Sequence, residues 1–262
     1  TLGFSSAASD VYKRQWRYLA SLIHDMNAQN KSKRYQILSM IDTAKKYVGE
    51  TFHHIYQFDW VGRMYPVTAN FNPQGNDIAR GLHVFAKGGA LNTKQDVDWL
   101  AICGANHFGL SKLSYRDRLD WSYTYGIDIA EQVYDNPIEN VDLWGQAKEP
   151  FQFLQWCKEW HEFQRIGKGY ISHHCCCLDG TNNGYQHIAG LTSNNELANK
   201  VNLQYVAKPQ DLYKQVLDVV LILLEQSNNP EAKAWYKERD KLTRAFIKKP
   251  VLMVPYLSLI HI

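Results

Sequence analysis

Apolar side chains recur at three- and four-residue spacing along most of this chain, a pattern that predicts amphipathic helices. The spacing predicts two helices over residues 16–48 and several more over residues 78–166. It fails over residues 58–77, where Gly, Pro and Asn interrupt aromatic and β-branched residues, which predicts short strands and turns. It fails again over residues 169–178, which predict a strand leading into the loop DGTNNG. The chain is therefore expected to be α+β and predominantly helical.

Helical spacing returns after that loop, notably over residues 212–224 and 236–254. The tryptophans Trp144, Trp156 and Trp160 indicate core packing within the earlier helices. A hydrophobic content of 45% and a charged content of 21% suit a folded core rather than disorder. No window reaches the roughly 18 uninterrupted apolar residues of a membrane span. The net charge of +3 is compatible with a polyanionic partner but does not require one.

Three of the five cysteines are consecutive, at Cys175, Cys176 and Cys177. They lack the paired spacing of a disulfide framework, which predicts a reduced, intracellular chain. Consecutive residues do not converge easily on one tetrahedral ion, so the trio predicts small side chains on a buried strand. A thiolate metal or redox site built on these cysteines is the alternative.

Both ends of the chain resemble translated adapter from transposon-based sequencing libraries. The matching letters are SSAASDVYKRQ at residues 5–15 and LSLIHI at residues 257–262. We therefore expect residues 1–15 and 257–262 to be foreign. The natural sequence is then expected to be an internal piece of a longer gene.

The segment DGTNNGYQH places one carboxylate, Asp179, at the end of the predicted strand. A carboxylate in that position can face a hard cation, and the carbonyl of Gly180 lies beside it. Mg²⁺ takes one or two protein carboxylates and fills its other positions with water or phosphate oxygens, so the two groups form a plausible half-site. A simple Asp-Gly turn is the alternative.

A second constellation lies in TRAFIKKPVLMVPY. In a helix, Arg244 and Lys248 are one turn apart on one face. Two cations at that spacing suit a triphosphate, and Tyr256 beyond them can stack or form a hydrogen bond. A solvated basic helix face is the alternative.

Together these segments resemble the single-subunit RNA polymerases of phages and mitochondria. DGTNNGYQH is similar to that family's motif A, and the segment from Arg244 to Tyr256 is similar to its motif B, in the same order and at a similar separation. The similarity covers nearly all of residues 50–256. It includes these upstream segments: DWVGRMY at residues 59–65, FNPQGND at residues 71–77, Gly104-Ala105-Asn106, and Lys112.

The resemblance implies a role for each matched residue. Asp179 would bind both catalytic Mg²⁺ ions with help from the Gly180 carbonyl. Arg244 and Lys248 would neutralise the phosphates of the incoming nucleotide, and Lys248 is a candidate proton donor to the pyrophosphate leaving group. Tyr256 would lie by the ribose.

Further matched positions have less direct roles. Lys112 corresponds to a phosphate-contacting lysine. Arg63 and Tyr65 correspond to residues that line the active site near the template and the new base pair. Gln186 and His187 correspond to motif positions that support the structure.

The identity of residue 184 distinguishes RNA polymerases from DNA polymerases within this resemblance, and here it is Gly184. Family-A DNA polymerases share the pattern of motif B, but they carry a Glu five residues after the metal-binding Asp, where it excludes ribonucleotides. Gly184 stands at that position here, so a 2′-hydroxyl is expected to fit, with Tyr256 as its hydrogen-bond partner.

The chain departs from the family in two respects. Pro250 and Pro255 are expected to break or kink the motif B helix. Val61 stands where many relatives carry Arg, so a phosphate or template contact expected there would be missing.

The resemblance also implies a right-hand polymerase core. Residues 16–50 would be the end of the thumb, residues 51–205 the first part of the palm, and residues 206–256 the start of the fingers. The implied partners are a DNA template, an RNA transcript and ribonucleoside triphosphates. The protein is expected to be a monomer that does not bind a membrane. The FNPQGND segment and the short loops favour a phage enzyme in the cytoplasm of an infected bacterium over an organellar one.

The family's other metal-binding Asp lies in a His-Asp-Ser segment downstream of motif B, and nothing in this sequence matches it there. The isolated chain is therefore expected to be inactive, although the parent gene would encode an enzyme. The alternatives are a family-A-like DNA polymerase, a non-catalytic nucleic-acid-binding scaffold derived from a polymerase core, and the cysteine-dependent protein described above.

Overall fold

The structure of the chain, a computed structural model, describes residues 2–60, 62–178 and 180–256. Helices dominate this part of the chain, and its strands form two small antiparallel sheets, which confirms the α+β, predominantly helical prediction. Two compact units are present. The first unit comprises the chain up to Phe108 together with Tyr125–Cys175, and the second comprises Gly109–Thr124 and the chain from Cys176 onward.

The helices are α1 (Leu2–Lys46), α2 (Asp77–Gly81), α3 (Lys94–Phe108), α4 (Tyr115–Trp121), α5 (Ile127–Asp135), α6 (Val141–Trp144), α7 (Pro150–Ile166), α8 (Asn183–Leu191), α9 (Asn195–Lys200), α10 (Leu212–Gln226), α11 (Pro230–Lys237) and α12 (Arg244–Met253). The strands are β1 (Tyr56–Phe58), β2 (Met64–Pro66), β3 (Gly89–Ala90) and β4 (Ile171–Ser172). A π-helical segment covers Ser122–Gly126, and 3-10 turns cover Arg239–Lys241 and Val254–Tyr256. Among the described residues, no helix combines the length and the apolar character that a bilayer span requires.

The first helix, α1, is continuous over 45 residues. The prediction of two helices over residues 16–48 was therefore wrong. No Gly or Pro interrupts this stretch, and its polar middle is rich in residues that a helix tolerates well. Near its end, Met40 is buried against Phe71 and Ala79 in a small apolar cluster.

The strands and turns predicted over residues 58–77 are present. Strands β1 and β2 form an antiparallel hairpin in which Gln57 pairs with Tyr65. The FNPQGND segment follows and ends at α2, whose first turn is capped by the side chain of Asn76. The side-chain amide of Gln74 donates to the carbonyl of Met64 at 3.2 Å, which ties this segment to the hairpin.

Helix α7 is the centre of the first unit and packs against α2, α3, α5 and α6. Trp156 and Trp160 on α7 are fully buried, which confirms the core packing expected of them, and Trp144 is half-buried. The indole nitrogen of Trp156 donates to the carbonyl of Leu100 at 2.8 Å. A Cβ at Gly104 would lie 2.0 Å from the Trp156 ring, so α3 approaches α7 closely only because residue 104 has no side chain.

The strand predicted over residues 169–178 is much shorter in the structure. Only β4 forms a ladder, because its partner β3 has just two residues. Cys176 and Cys177 lie beyond that ladder and are exposed, while Cys175 is partly buried. The prediction of a buried cysteine strand was therefore wrong for the last two cysteines.

In the second unit, α8 and α9 pack together, and α10 contacts both α11 and α12. Its core contains Ala189, Ala198, Val201 and Leu212. The helix predicted over residues 236–254 is divided, because α11 ends at Lys237 and α12 begins at Arg244. Helix α12 passes through Pro250 and ends only at Met253, so Pro250 does not end it. Val61 lies outside the described residues.

Candidate active site

Asp179, the carboxylate that the sequence assigns to metal binding, lies outside the described residues. The loop after it is described and begins with Gly180, which is exposed. The side-chain oxygen of Asn183 is 2.1 Å from the position a Cβ would take at residue 180, so a larger residue there would require the Asn183 side chain to move. Asn182 adopts the left-handed conformation, with φ of 55°, immediately before α8. Its buried Oδ1 has no hydrogen-bond partner among the described residues.

The predicted phosphate-binding cations of the second unit gather at the start of α10. Arg244 Nε donates to Asp211 Oδ2 at 2.6 Å. The Arg244 guanidinium carbon lies 5.3 Å from the centroid of the Tyr213 ring, and Lys248 Nζ lies 5.9 Å from the same centroid. Both distances are within the range of cation–π attraction. Arg244 and Lys248 therefore share one aromatic ring, as residues one helical turn apart can.

Asp211 connects this cation cluster to the helix. Its Oδ1 accepts from the backbone N–H of Lys214 at 3.3 Å, which caps the first turn of α10. Burial favours the neutral form of this carboxyl. The hydrogen bonds from Arg244 and Lys214 and the charges of Arg244 and Lys112 outweigh burial, so the pKa of Asp211 lies below its ordinary value. The charge of the exposed Lys112 thus acts at the same point as that of Arg244.

Gly184 in α8 packs directly on Pro255. A Cβ at residue 184 would lie 2.5 Å from Pro255 Cβ, so a side chain has no space there. The hydroxyl of Tyr185 donates to the carbonyl of Val251 at 2.8 Å. That carbonyl lacks the usual helical donor four residues on, because Pro255 has no N–H. The motif A helix is thus fastened to the end of α12, next to Tyr256, whose side chain lies outside the described part of the chain.

Arg63 and Tyr65 belong to the first unit. The turn between β1 and β2 is closed by Asp59, whose Oδ1 accepts from the Arg63 N–H at 2.8 Å and whose own N–H donates to the Arg63 carbonyl at 2.8 Å. Gly62 has φ of 78°, a conformation that favours glycine in this turn. Tyr65 follows on β2 and is 43% exposed. The motif DWVGRMY therefore forms a tight hairpin that presents Tyr65 on a short strand.

The supporting residues of motif A differ from each other in their contacts. Gln186 donates from its side-chain amide to the carbonyl of Val201 at 2.8 Å, which fastens α8 to the end of α9. His187 is exposed. The contact of Gln186 suits a supporting role, whereas the exposure of His187 gives no packing role to that side chain.

The sequence did not single out Asp211 or Tyr213. Asp211 directly precedes an apolar run, which is a readable signal for a helix N-cap. Its pairing with Arg244 spans 33 residues of sequence, and spacing carries no information about such a contact.

The last residue of the segment FNPQGND, Asp77, binds the start of α7 in the first unit. Asp77 Oδ2 accepts from the Phe151 N–H at 2.8 Å, and Asp77 Oδ1 accepts from the Gln152 N–H at 3.2 Å. These bonds satisfy backbone donors in the first turn of α7 that the helix itself leaves without partners. Asp77 is therefore a cap supplied from a distant part of the sequence.

The described chain is therefore a helix-rich α+β protein in which Arg244 and Lys248 share the Tyr213 ring. The family model for DNA-dependent RNA polymerase matches residues 91–259, which is more than half of the chain. The mitochondrial DNA-directed RNA polymerase of Schizosaccharomyces pombe is 32% identical over 230 residues, covering 86% of this chain and 20% of the relative. T7 RNA polymerase of Escherichia phage T7 is 31% identical over 218 residues, covering 80% of this chain and 23% of the relative.

The chain belongs to the single-subunit, phage-type family of DNA-dependent RNA polymerases. It spans about a fifth of the length of these curated relatives, at 20% and 23%. The relatives come from both phages and mitochondria, so the family resemblance expected from motifs A and B is confirmed, whereas the source is not distinguished.

Proposed function

We propose that the protein to which this chain belongs performs DNA-templated RNA synthesis. In this reaction the 3′-hydroxyl of the transcript attacks the α-phosphorus of a ribonucleoside triphosphate, and pyrophosphate leaves. The observation that carries the proposal is the cation cluster of Lys112, Arg244 and Lys248 around Asp211 and Tyr213. It lies in the same unit as the loop that follows Asp179.

Arg244 is proposed to bind the triphosphate with the paired amino groups of its guanidinium. Its ion pair with Asp211 uses Nε, which leaves the two terminal amino groups for phosphate oxygens. The side chain is 41% exposed, so a ligand can reach it. Asp211 is a positioning residue in this proposal, since it fixes the guanidinium and does not touch the nucleotide.

Lys248 is the proposed second cation and the proton donor to pyrophosphate. It is exposed and lies one helical turn from Arg244, so both can contact one phosphate chain. The Tyr213 ring attracts the ammonium group without neutralising it, as a carboxylate would. The ring therefore holds the ammonium group beside Arg244, where it can meet the leaving group.

Mg²⁺ is the proposed metal, held by the carboxylate of Asp179 and the carbonyl of Gly180. Both donors are oxygens, which Mg²⁺ prefers, and the buried Oδ1 of Asn182 is a nearby acceptor that a metal-bound water can satisfy. When bound, the metal would lower the pKa of the 3′-hydroxyl and stabilise charge on the triphosphate.

Selection of ribonucleotides is proposed to depend on Gly184 and Tyr256. The contact with Pro255 leaves no space for the Glu that a family-A-like DNA polymerase would carry at residue 184. Because residue 184 has no side chain, nothing from that residue would crowd the sugar, and a 2′-hydroxyl is expected to fit with the Tyr256 hydroxyl as its partner. This observation favours RNA synthesis over the DNA polymerase alternative.

The remaining parts of the proposal follow the family. The hairpin with Arg63 and Tyr65 would contact the template and the new base pair. Residues 16–50, 51–205 and 206–256 would be parts of the thumb, palm and fingers of a monomer that holds a DNA template and an RNA transcript. A phage enzyme in the bacterial cytoplasm is the proposed setting, on the basis of the FNPQGND segment.

Nucleotide binding by the 262-residue chain tests the cation cluster. A fluorescent ribonucleoside triphosphate is titrated against the wild-type chain and against Arg244→Ala, Lys248→Ala and Lys249→Ala. Lys249 is an exposed neighbour of Lys248, so its variant is the matched control for loss of one charge. We expect about tenfold weaker binding for the first two variants and little change for the third. Equal weakening in all three would mean that only net charge matters and would contradict a defined site.

Catalysis is tested separately in the protein that carries this chain. With saturating nucleotide, Lys248→Ala is expected to slow single-nucleotide addition by about a hundredfold, whereas Lys249→Ala leaves the rate near wild type. An unchanged rate for Lys248→Ala would remove its role as proton donor.

A further inference from the structure

Three side chains of types that can bind a metal ion converge in the first unit, whereas the cation cluster belongs to the second unit. Cys103 and His107 lie one turn apart on α3, and His174 lies just after β4. Cys103 Sγ is 3.3 Å from His107 Nε2, and His107 Nε2 is 3.2 Å from His174 Nε2. All three atoms lie within 4.8 Å of one another. His174 reaches α3 from the segment that follows the β3–β4 pair.

Two of the three distances among these atoms match edges of a zinc tetrahedron, and the third pair, Cys103 Sγ and His174 Nε2, lies within 4.8 Å. With Zn–N of about 2.05 Å and Zn–S of about 2.3 Å, tetrahedral angles give N···N of roughly 3.3 Å and S···N of roughly 3.6 Å. The observed 3.2 Å and 3.3 Å are close to these edges. Cys103 is only partly buried, whereas both histidines are buried.

The surroundings orient His107 as a ligand. Its Nδ1 lies 2.8 Å from Glu149 Oε2, so Nδ1 carries the proton and Nε2 presents its lone pair to Cys103 and His174. Glu149 in turn accepts from Arg80 Nη2 at 3.4 Å. A carboxylate behind the far nitrogen is the usual support of a metal-bound histidine.

Hydrogen bonding alone accounts poorly for the cluster. The single lone pair of His107 Nε2 is approached by both Cys103 Sγ and His174 Nε2, and it can accept one good hydrogen bond. His107 is 4% exposed and His174 is 8% exposed, so water offers little compensation. His174 Nδ1 is also buried with no hydrogen-bond partner in the described chain. A cation would accept all three lone pairs at once.

We propose that Cys103, His107 and His174 bind a zinc ion that fastens α3 to the chain just before Asp179. Nitrogen and sulfur donors select Zn²⁺ over the Mg²⁺ proposed for the active site, because Mg²⁺ prefers oxygen. The ion would join two segments that are 67 residues apart in sequence. It differs from the cysteine site considered from the sequence, because it uses none of the three consecutive cysteines.

Metal content of the 262-residue chain tests the proposal. The chain is produced with zinc in the medium, desalted, and analysed by mass spectrometry for metals and by circular dichroism for helix content. Cobalt replacement adds a spectroscopic test, because a thiolate-to-cobalt absorption band appears only if a cysteine is a ligand. The variants are Cys103→Ser and His174→Asn. The controls are Cys176→Ser and His187→Asn, which alter exposed residues outside the cluster.

We expect about one zinc per wild-type chain and per control chain. Both cluster variants should lose at least about tenfold in zinc affinity, and Cys103→Ser should lose the cobalt band. If His174→Asn does not fold, Cys103→Ser with wild-type helix content decides the question. A folded wild-type chain without zinc, or a Cys103→Ser chain that keeps it, overturns the proposal. Loss of zinc from Cys176→Ser alone would place the metal on the cysteine trio and overturn it equally.

Discussion

Replacing Asp211 tests whether the ion pair under the cation cluster contributes free energy. Asp211 has two separable bonds, one from its Oδ1 to the Lys214 N–H at 3.3 Å and one from its Oδ2 to Arg244 Nε at 2.6 Å. Asp211→Asn keeps an oxygen for the helix cap and removes the charge. Asp211→Ala removes both bonds. The difference between the two variants therefore isolates the cap.

The sizes of both effects follow from the exposure of the groups. Loss of an N-cap acceptor costs about 1 kcal/mol of the free energy of unfolding. Arg244 is 41% exposed and Asp211 21%, so solvent screening limits the ion pair to about 1 kcal/mol. We expect Asp211→Asn to lose about 1 kcal/mol and Asp211→Ala about 2 kcal/mol.

The pKa of Asp211 adds a dependence on pH. Although burial opposes ionisation, the bonds from Arg244 and Lys214 hold this pKa below its ordinary value. A carboxyl with a lowered pKa in the folded state stabilises fully above its unfolded pKa, and this stabilisation is lost as the pH falls through the folded pKa. The difference in free energy of unfolding between wild type and Asp211→Asn should therefore be largest at neutral pH and disappear in acid.

Urea unfolding of the 262-residue chain, followed by circular dichroism, provides the measurement. A double-mutant cycle of Asp211→Asn with Arg244→Ala should give a coupling energy of about 1 kcal/mol. Asp218→Asn alters an exposed carboxylate on the same helix and should change stability by less than about 0.5 kcal/mol. Zero coupling at neutral pH, with Asp211→Ala no worse than Asp218→Asn, would refute the role of the ion pair.

Two glycine substitutions test close packing in the two units, with thermal unfolding as the measurement. Gly104→Ala should destabilise by about 3 kcal/mol, because its Cβ would lie 2.0 Å from the Trp156 ring, whereas Gly190→Ala, with nothing within 4 Å of its Cβ, should be neutral or stabilising. Gly184→Ala should cost about 1 to 3 kcal/mol through its contact with Pro255, and Pro255→Gly in the same chain, which removes the Cβ at 2.5 Å, should recover part of that loss. Equal melting temperatures for the Gly104 and Gly190 variants would contradict the first expectation, and no recovery would contradict the second.

Local patterns predicted the helical regions of this chain, because apolar spacing and most helix caps involve neighbouring residues. The Asp211 cap lies directly before the apolar run of α10 and can be recognised from the sequence. Boundaries were harder to predict. The break between α11 and α12 contains no glycine or proline, and a short 3-10 turn replaces the expected continuous helix there.

The candidate site was only partly predictable from the sequence. The pairing of Arg244 with Lys248 follows from helical spacing, but their shared ring, Tyr213, lies more than 30 residues earlier and is brought to them by the packing of α12 on α10. The proposed zinc cluster is also only partly predictable from the sequence. Cys103 and His107 are one turn apart and recognisable, whereas His174 reaches them from a distant segment that follows the strand pair β3–β4.

The cap that Asp77 supplies to α7 has a consequence for folding. A helix start is normally completed by a residue beside it in sequence, and here the acceptor lies 74 residues away. The first turn of α7 therefore cannot gain its full stability until the FNPQGND segment has docked. Helices α2, α3, α5 and α6 all pack on α7, so the first unit is expected to unfold cooperatively. A substitution that disrupts the FNPQGND segment should therefore destabilise all of these helices.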